Sequence, residues 1–224
     1  MMINDSVDAR CQPGHAEAPA LIVVHGLWLG PWATAWLARY LANEGLRVFR
    51  FGYASTGNSL DENAAALARF ARNIGASRIH WLGHSLGGAL ICRALSAHGC
   101  AGDGRVVTLA APLRGSFAAE RLACFAAGRV LLGRSIRDWL EQPADRWTLP
   151  NELGVIAGTH GLGLGRLLAP DLPRPNDGVV SVEETRLPGA KEFLVLPVSH
   201  SGMLISARVA RHAASFLRSG SFSG

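Results

Sequence analysis

"WLGHSLGGAL" occupies residues 81–90, directly after "ASRIH" (76–80). In a chain that is 49% hydrophobic, the polar pair His84-Ser85 stands between glycines where a short apolar run gives way to a helical one. A buried strand running into a buried helix needs no polar dipeptide at the junction. The stretch is therefore either an ordinary turn or a turn that holds up a serine. An ordinary turn would need one glycine for positive φ, not a glycine on each side of the serine. A serine on a tight strand-to-helix turn is forced into a strained backbone conformation with its oxygen projecting outward, and this context gives the G-x-S-x-G pattern its meaning. Its neighbours two residues away, Gly83 and Gly87, must be small for the turn to close. The next helix starts at Leu86 to Gly88, so its first N–H groups face any anion formed beside Ser85.

Outward from that turn, strands and helices alternate. "ALIVVHG" (20–26) is a continuous apolar run ending in glycine, as expected of a strand buried on both faces. "PWATAWLARYLANEG" follows, with Pro31 suited to a first helical turn and Gly45 to a C-terminal stop. "LRVFRFGY" (46–53) reads as a strand. "SLDENAAALARFARNIG" opens with a capping box from Ser59 to Glu62 and places Ala66, Leu67, Phe70 and Ile74 on one face. "RIHWLG", "RVVTLAAP" (105–112), "LGVIAGT" (153–159) and "KEFLVLPV" (191–198) read as strands, and "GGALICRALSAHG" as a helix. The last helix is expected from about Ser201 to Arg218, with Met203, Ala207, Ala210, Ala214 and Leu217 as its stripe. The pattern predicts an α/β fold: a mostly parallel sheet of about six strands with helices on both faces. Residues 1–19 read as a loose lead-in and 20–224 as one domain. The stretch 113–150 exceeds a simple crossover. It is one helix with a long loop or a small helical cap over the strand ends, and the cap is the expectation carried forward.

Composition excludes several classes. No apolar run reaches the ~18 residues of a membrane span, and the first twenty residues lack the apolar core of a secretory signal, so stable membrane insertion is not expected and the cytoplasm is. Cys11, Cys92, Cys100 and Cys124 show neither C-x-x-C nor metal-ligand spacing and read as free thiols. The net charge is +5 with a pI near 9.6, and Lys191 is the only lysine. The arginines are scattered singly with no basic run, so the surplus reads as solvated helix surface rather than a nucleic-acid patch.

A serine hydroxyl needs a base, and the base needs a partner that fixes its tautomer. Among eight histidines, His200 in "LPVSHSGML" lies just after the last strand and before the final helix. His160, after "LGVIAGT", is its competitor. His15 lies in the lead-in, His98 and His212 on helices and His80 inside a strand, while His84 adjoins the serine and is expected to point away. Chain order places the acid before the base. Asp177 sits in the Asn-Asp-Gly turn of "PRPNDGVVSVEETRLPG", read as an exposed loop tip; Asp171, Glu183 and Glu184 are the alternatives. The oxyanion needs two backbone N–H donors: Leu86, after the serine, and Leu27 in "VVHGLWLGPW". His25 reads as pinning that loop through hydrogen bonds. Trp28 and Trp32 line an acyl pocket or pack in the core.

On "VVHG", "GHSLGG", "VVTLAAPLRG", "NDGVVSVEET" and "SHSGML", in that order, the chain resembles the α/β-hydrolases, and in particular compact bacterial serine lipases and esterases. The resemblance spans Leu21 to the C-terminal helix. It implies a nucleophile at Ser85, an acid at Asp177, a base at His200, oxyanion donors at Leu27 and Leu86, no cofactor, and hydrolysis of a small-molecule ester or lipid-like substrate. The loop from Thr159 to Asp177 is longer than the resemblance expects, and 113–150 carries no matching motif. An acyltransferase or thioesterase would use the same residues. A non-catalytic binding module would have a broken triad, and none of the three positions is broken.

Overall fold

The computed structural model describes residues 19–99, 103–161 and 169–223. The lead-in expected at 1–19, with Cys11 and His15, falls outside them but for its last residue, as does Cys100. Each run read as a strand is one. β1 (Ala20–Val24), β2 (Arg47–Phe51), β3 (Ile79–His84), β4 (Val106–Leu109), β5 (Leu153–Gly158) and β6 (Glu192–Leu196) form one six-stranded sheet, ordered β2-β1-β3-β4-β5-β6. All five pairings are parallel.

Seven α-helices stand among the described residues: α1 (Ala35–Asn43), α2 (Leu60–Ile74), α3 (Leu86–His98), α4 (Phe117–Ala123), α5 (Ala126–Glu141), α6 (Val182–Thr185) and α7 (Ala207–Ser219). A parallel strand alternates its side chains between two covered faces, which is why β1 needs five apolar residues in a row. Ile22 and Val24 join Trp81, Val106 and Val155 in a core roofed by α2, α3 and α5. Leu21 and Val23 join Leu82, Val107 and Ile156 under α1 and α7. The Ser59 capping box forms as read, with the Glu62 N–H donating to Ser59 Oγ at 3.1 Å and the Ser59 N–H to Glu62 Oε2 at 2.6 Å.

Three readings shift. Residues Ser201–Ile205 form a 3-10 turn, and α7 begins only at Ala207, with Ser206 Oγ accepting from the Val209 N–H. The buried stripe of α7 is therefore Val209, Ala210, Ala213, Ala214, Phe216 and Leu217, while Ala207 is exposed. On α2 the centre of the buried face is Leu60, Ala64, Leu67, Ala68 and Ala71, with Ala66, Phe70 and Ile74 at its margin. The stretch 113–150 holds two helices. The second half of α5 belongs to the β4-to-β5 crossover, with Ile136 and Trp139 in the sheet core, joined by Leu132 at the end of the first half. Phe125, between α4 and α5, and Val130 and Leu131, in the first half of α5, are instead exposed. The two halves of α5 meet at Gly133, whose φ of 73° breaks the helix.

Among the described residues no helix is long and apolar enough to cross a membrane. Cys92, buried, and Cys124, exposed, are free thiols.

The strand order decides where a ligand can sit. β2 and β3 leave β1 on opposite sides, so the loops after β1 and β3 diverge and open a crevice at the carboxyl end of the sheet. Residues 25–30 and the His84-Ser85 junction are those two loops.

Candidate active site

Ser85 has φ 55° and ψ −127°, directly between β3 and the first residue of α3. Among the described residues only Trp28 and Ala110 share its positive φ without being glycine. Such a conformation costs on the order of 1–3 kcal/mol and persists only where the surroundings enforce it. Here they do. The Ser85 N–H donates to the Leu109 carbonyl of β4 at 2.9 Å, and the Ser85 carbonyl accepts from the Gly88 N–H at 2.9 Å. A Cβ on Gly83 would lie 2.5 Å from the Gly88 nitrogen, and one on Gly87 would lie 2.5 Å from the carbonyl oxygens of both Val24 and His25. The glycines thus let α3 start hard against the ends of β1 and β3.

His200 Nδ1 lies 2.8 Å from Asp177 Oδ2. The other carboxylate oxygen, Oδ1, accepts from the Val179 and Val180 N–H groups at 2.9 and 2.8 Å. The His200 N–H in turn donates to the Asp177 carbonyl at 3.0 Å. Asp177 is fully buried, at 0% exposure, which corrects the sequence reading of an exposed loop tip. The Asn-Asp-Gly turn is folded inward: a Cβ on Gly158, the last residue of β5, would meet Asp177 Cβ at 2.8 Å. With a carboxylate on Nδ1, the His200 ring carries its proton there and leaves Nε2 as the basic lone pair.

The competing residues go elsewhere. Asp171 pairs with Arg121 at 2.9 Å in an exposed ion pair. Glu183 is held by Arg114 and Arg186 on the surface. Glu184 closes a capping box with Ser181 and accepts from the Phe117 N–H, which ties α6 to the start of α4. His160 is exposed and lines a cleft of about 640 Å³ with Arg174 and Asn176.

The loop after β1 runs beside Ser85: a Cβ on Gly26 would lie 3.0 Å from Ser85 Cβ and 3.2 Å from His84 Nδ1. Leu27 follows in the same loop. His25 pins it, as the sequence suggests. Its Nδ1 meets the Gly26 carbonyl at 2.9 Å, and its Nε2 accepts from the Tyr53 N–H at 3.4 Å. A carbonyl only accepts, so the proton is on Nδ1. Tyr53 stacks on the ring at 4.5 Å and donates its hydroxyl to the His25 carbonyl. Burial holds the His25 pKa below its ordinary value.

Neither Trp28 nor Trp32 packs in the core; they are 49% and 70% exposed. His84 is the residue that sequence reasoning undervalued. It is buried, its ring centroid lies 4.7 Å from that of His200, and its Nε2 donates to the His200 carbonyl at 3.0 Å. Burial first, and then the neighbouring His200, pushes its pKa down to about 3. A His84 held neutral puts no positive charge against the His200 ring. Its place in the serine motif was legible, but its partner, 116 residues away, was not.

Residues 21–210 match the model of the alpha/beta hydrolase family. No curated protein matches the chain significantly. Among solved structures, the mature lipase BlEst2 of Bacillus licheniformis superposes with a TM-score of 0.69 at 21% identity, over 90% of this chain and 91% of that one. An alpha/beta hydrolase fold protein from Nakamurella multipartita gives 0.63 at 18% identity, over 91% and 93%. The metagenomic carboxyl esterase MGS0156 gives 0.63 at 17%, over 82% and 65%. At these identities the likeness is one of fold.

Proposed function

The chain belongs to the alpha/beta hydrolase family, and from that premise we propose that it is a serine hydrolase cleaving carboxylic esters through an acyl-enzyme on Ser85. The observation that carries the reading is the pairing of a strained serine at the β3–α3 turn with a buried carboxylate–histidine pair at the same end of the sheet. That strain has no use in a turn that merely connects. The neighbours described as a lipase and a carboxyl esterase favour an ester substrate, small or lipid-like.

In this mechanism His200 Nε2 takes the hydroxyl proton of Ser85 as the oxygen attacks the ester carbonyl. Asp177 stabilises the imidazolium and keeps Nδ1 protonated, so the lone pair stays on the nitrogen that works. The Leu86 N–H, at the first position of α3, and the Leu27 N–H, from the loop after β1, hold the oxyanion, aided by the positive end of the α3 dipole. The leaving alcohol takes the proton back from His200, and water repeats the sequence to free the acid. No step asks for a cofactor or metal. The stretch 113–150 acts as a cap, with the exposed half of α5 and Phe125 flanking the acyl path and the buried half serving the fold.

The test is labelling of Ser85 by a fluorophosphonate together with turnover of a p-nitrophenyl ester series. Ser85→Ala should abolish labelling and lower kcat by on the order of 10⁶ while leaving the thermal melt intact. Retention of a few per cent of activity in the pure variant sinks the assignment.

A further inference from the structure

Among the described residues Trp28 is the one bulky residue that the backbone holds at positive φ, 60°, and it directly follows Leu27. A left-handed backbone suits a glycine, and "HGLWLG" offers one on each side, yet the position carries the largest side chain available. Two hydrogen bonds hold it there. The Trp28 N–H donates to Ser55 Oγ at 3.2 Å, and Ser55 is buried in the β2–α2 loop. The indole Nε1–H donates to the Leu131 carbonyl of α5 at 2.8 Å.

Leu131 lies two residues before the break at Gly133, in the last turn of the first half of α5, where helix carbonyls run short of partners. That break is itself fixed against the same β2–α2 loop. A Cβ on Gly133 would fall 2.3 Å from Thr56 Cα, and the Arg134 N–H donates to the Thr56 carbonyl at 2.9 Å. Three chain segments far apart in sequence therefore meet at Trp28: the loop after β1, the loop after β2 and the kink of α5.

We propose that Trp28 is a positioning residue: its two hydrogen bonds, to Ser55 and to the Leu131 carbonyl, hold the adjoining Leu27 N–H in the direction the oxyanion requires and make that donor depend on the placement of α5. The inference rests on the reading of Leu27 as an oxyanion donor. The physical reason is local. The peptide plane that carries the Leu27 N–H is two bonds from the Trp28 backbone, and a left-handed residue released from its ties relaxes towards negative φ, rotating its neighbours. Indole N–H is the only group of the side chain able to reach a carbonyl, so a ring without it keeps the bulk and loses the tie.

Trp28→Phe is the primary variant, and Trp28→Gly, which suits positive φ, is the second. Turnover of p-nitrophenyl butyrate, affinity for an arylboronic acid that mimics the tetrahedral state, and thermal melting are measured for each. A misdirected rather than deleted donor should lower kcat about tenfold in Trp28→Phe and weaken the boronic acid by a similar factor, with KM within about twofold. Trp28→Gly should melt no lower than Trp28→Phe and yet regain none of the lost kcat. A kcat within twofold of the parent in Trp28→Phe overturns the proposal. So does a loss confined to KM, which would make the ring a wall of the substrate path. If the unaltered protein neither labels at Ser85 nor turns over any ester, the hydrolase reading fails, and amide hydrogen exchange decides the tie by itself. Faster exchange at Leu27 and Trp28 in Trp28→Phe than in the parent upholds it, and equal exchange overturns it.

Discussion

Asp177→Asn separates a hydrogen-bonding role from a charge role. The Asp177 carboxylate accepts three hydrogen bonds, two on Oδ1 from Val179 and Val180 and one on Oδ2 from His200. An asparagine of the same shape must choose. If its oxygen stays with the Val179 and Val180 N–H groups, its NH₂ faces His200 Nδ1, and the histidine moves its proton to Nε2 to accept there. The nitrogen that should deprotonate Ser85 is then blocked. If the amide flips instead, two backbone donors face an NH₂ in a site with no exposure, which costs more than one mismatched contact. The first arrangement wins, and the fold survives with the wrong tautomer. The expected loss is roughly 10⁴ in kcat, about 5 kcal/mol of transition-state stabilisation, as in other triads. Asp171→Asn is the internal control, because its half-exposed pairing with Arg121 is worth at most about 1 kcal/mol and lies outside the site. Steady-state kinetics at neutral pH with thermal melts decides the matter. Asp177→Asn retaining a tenth of the parent kcat, or a large loss in Asp171→Asn alone, refutes the tautomer reasoning.

Gly87→Ala places a methyl 2.5 Å from two backbone carbonyl oxygens, and neither can yield without moving β1, so the urea midpoint should fall by the equivalent of about 1–3 kcal/mol; an unchanged midpoint contradicts the packing. Burial holds the pKa of His80 at about 4 and that of His84 at about 3 in the folded chain. Since unfolded histidine titrates near 6.5, the unfolded state alone binds these protons as pH falls. Stability is therefore complete above about pH 7 and should decline from there towards pH 4, by roughly 3 kcal/mol per histidine. A denaturation midpoint that stays flat from pH 7 to 5 would contradict this. Phe125→Ser and Val130→Ser should alter the acyl-length profile of a p-nitrophenyl ester series while shifting stability by less than about 0.5 kcal/mol. Trp139→Ala should instead cost about 3–5 kcal/mol, because Trp139 is buried and donates its indole N–H to the Pro112 carbonyl. The reverse ranking would make the first half of α5 structural.

The strands, their parallel arrangement and the serine turn were legible in the sequence because each depends on neighbours along the chain. Five apolar residues from Ala20 to Val24 suffice to declare a strand covered on both faces. Gly83 and Gly87 declare a turn too crowded for a Cβ. The order of Ser85, Asp177 and His200 along the chain follows from the order of strands whose ends carry them. The boundary of α7 was misread because Met203 continues its apolar spacing while the backbone between Ser201 and Ile205 winds as a 3-10 turn. What the tertiary structure alone decided is how distant segments dispose of polar groups. The Asn-Asp-Gly turn has the composition of a solvated tip, yet Asp177 is buried, because two N–H groups of its own turn and the His200 ring replace the water it loses. His84 acquires its partner only when the sheet brings His200 beside it. Trp28 looks from sequence like a pocket wall or a core residue. Its backbone and indole N–H groups find acceptors 27 and 103 residues away, and no local pattern encodes a hydrogen bond across such a separation.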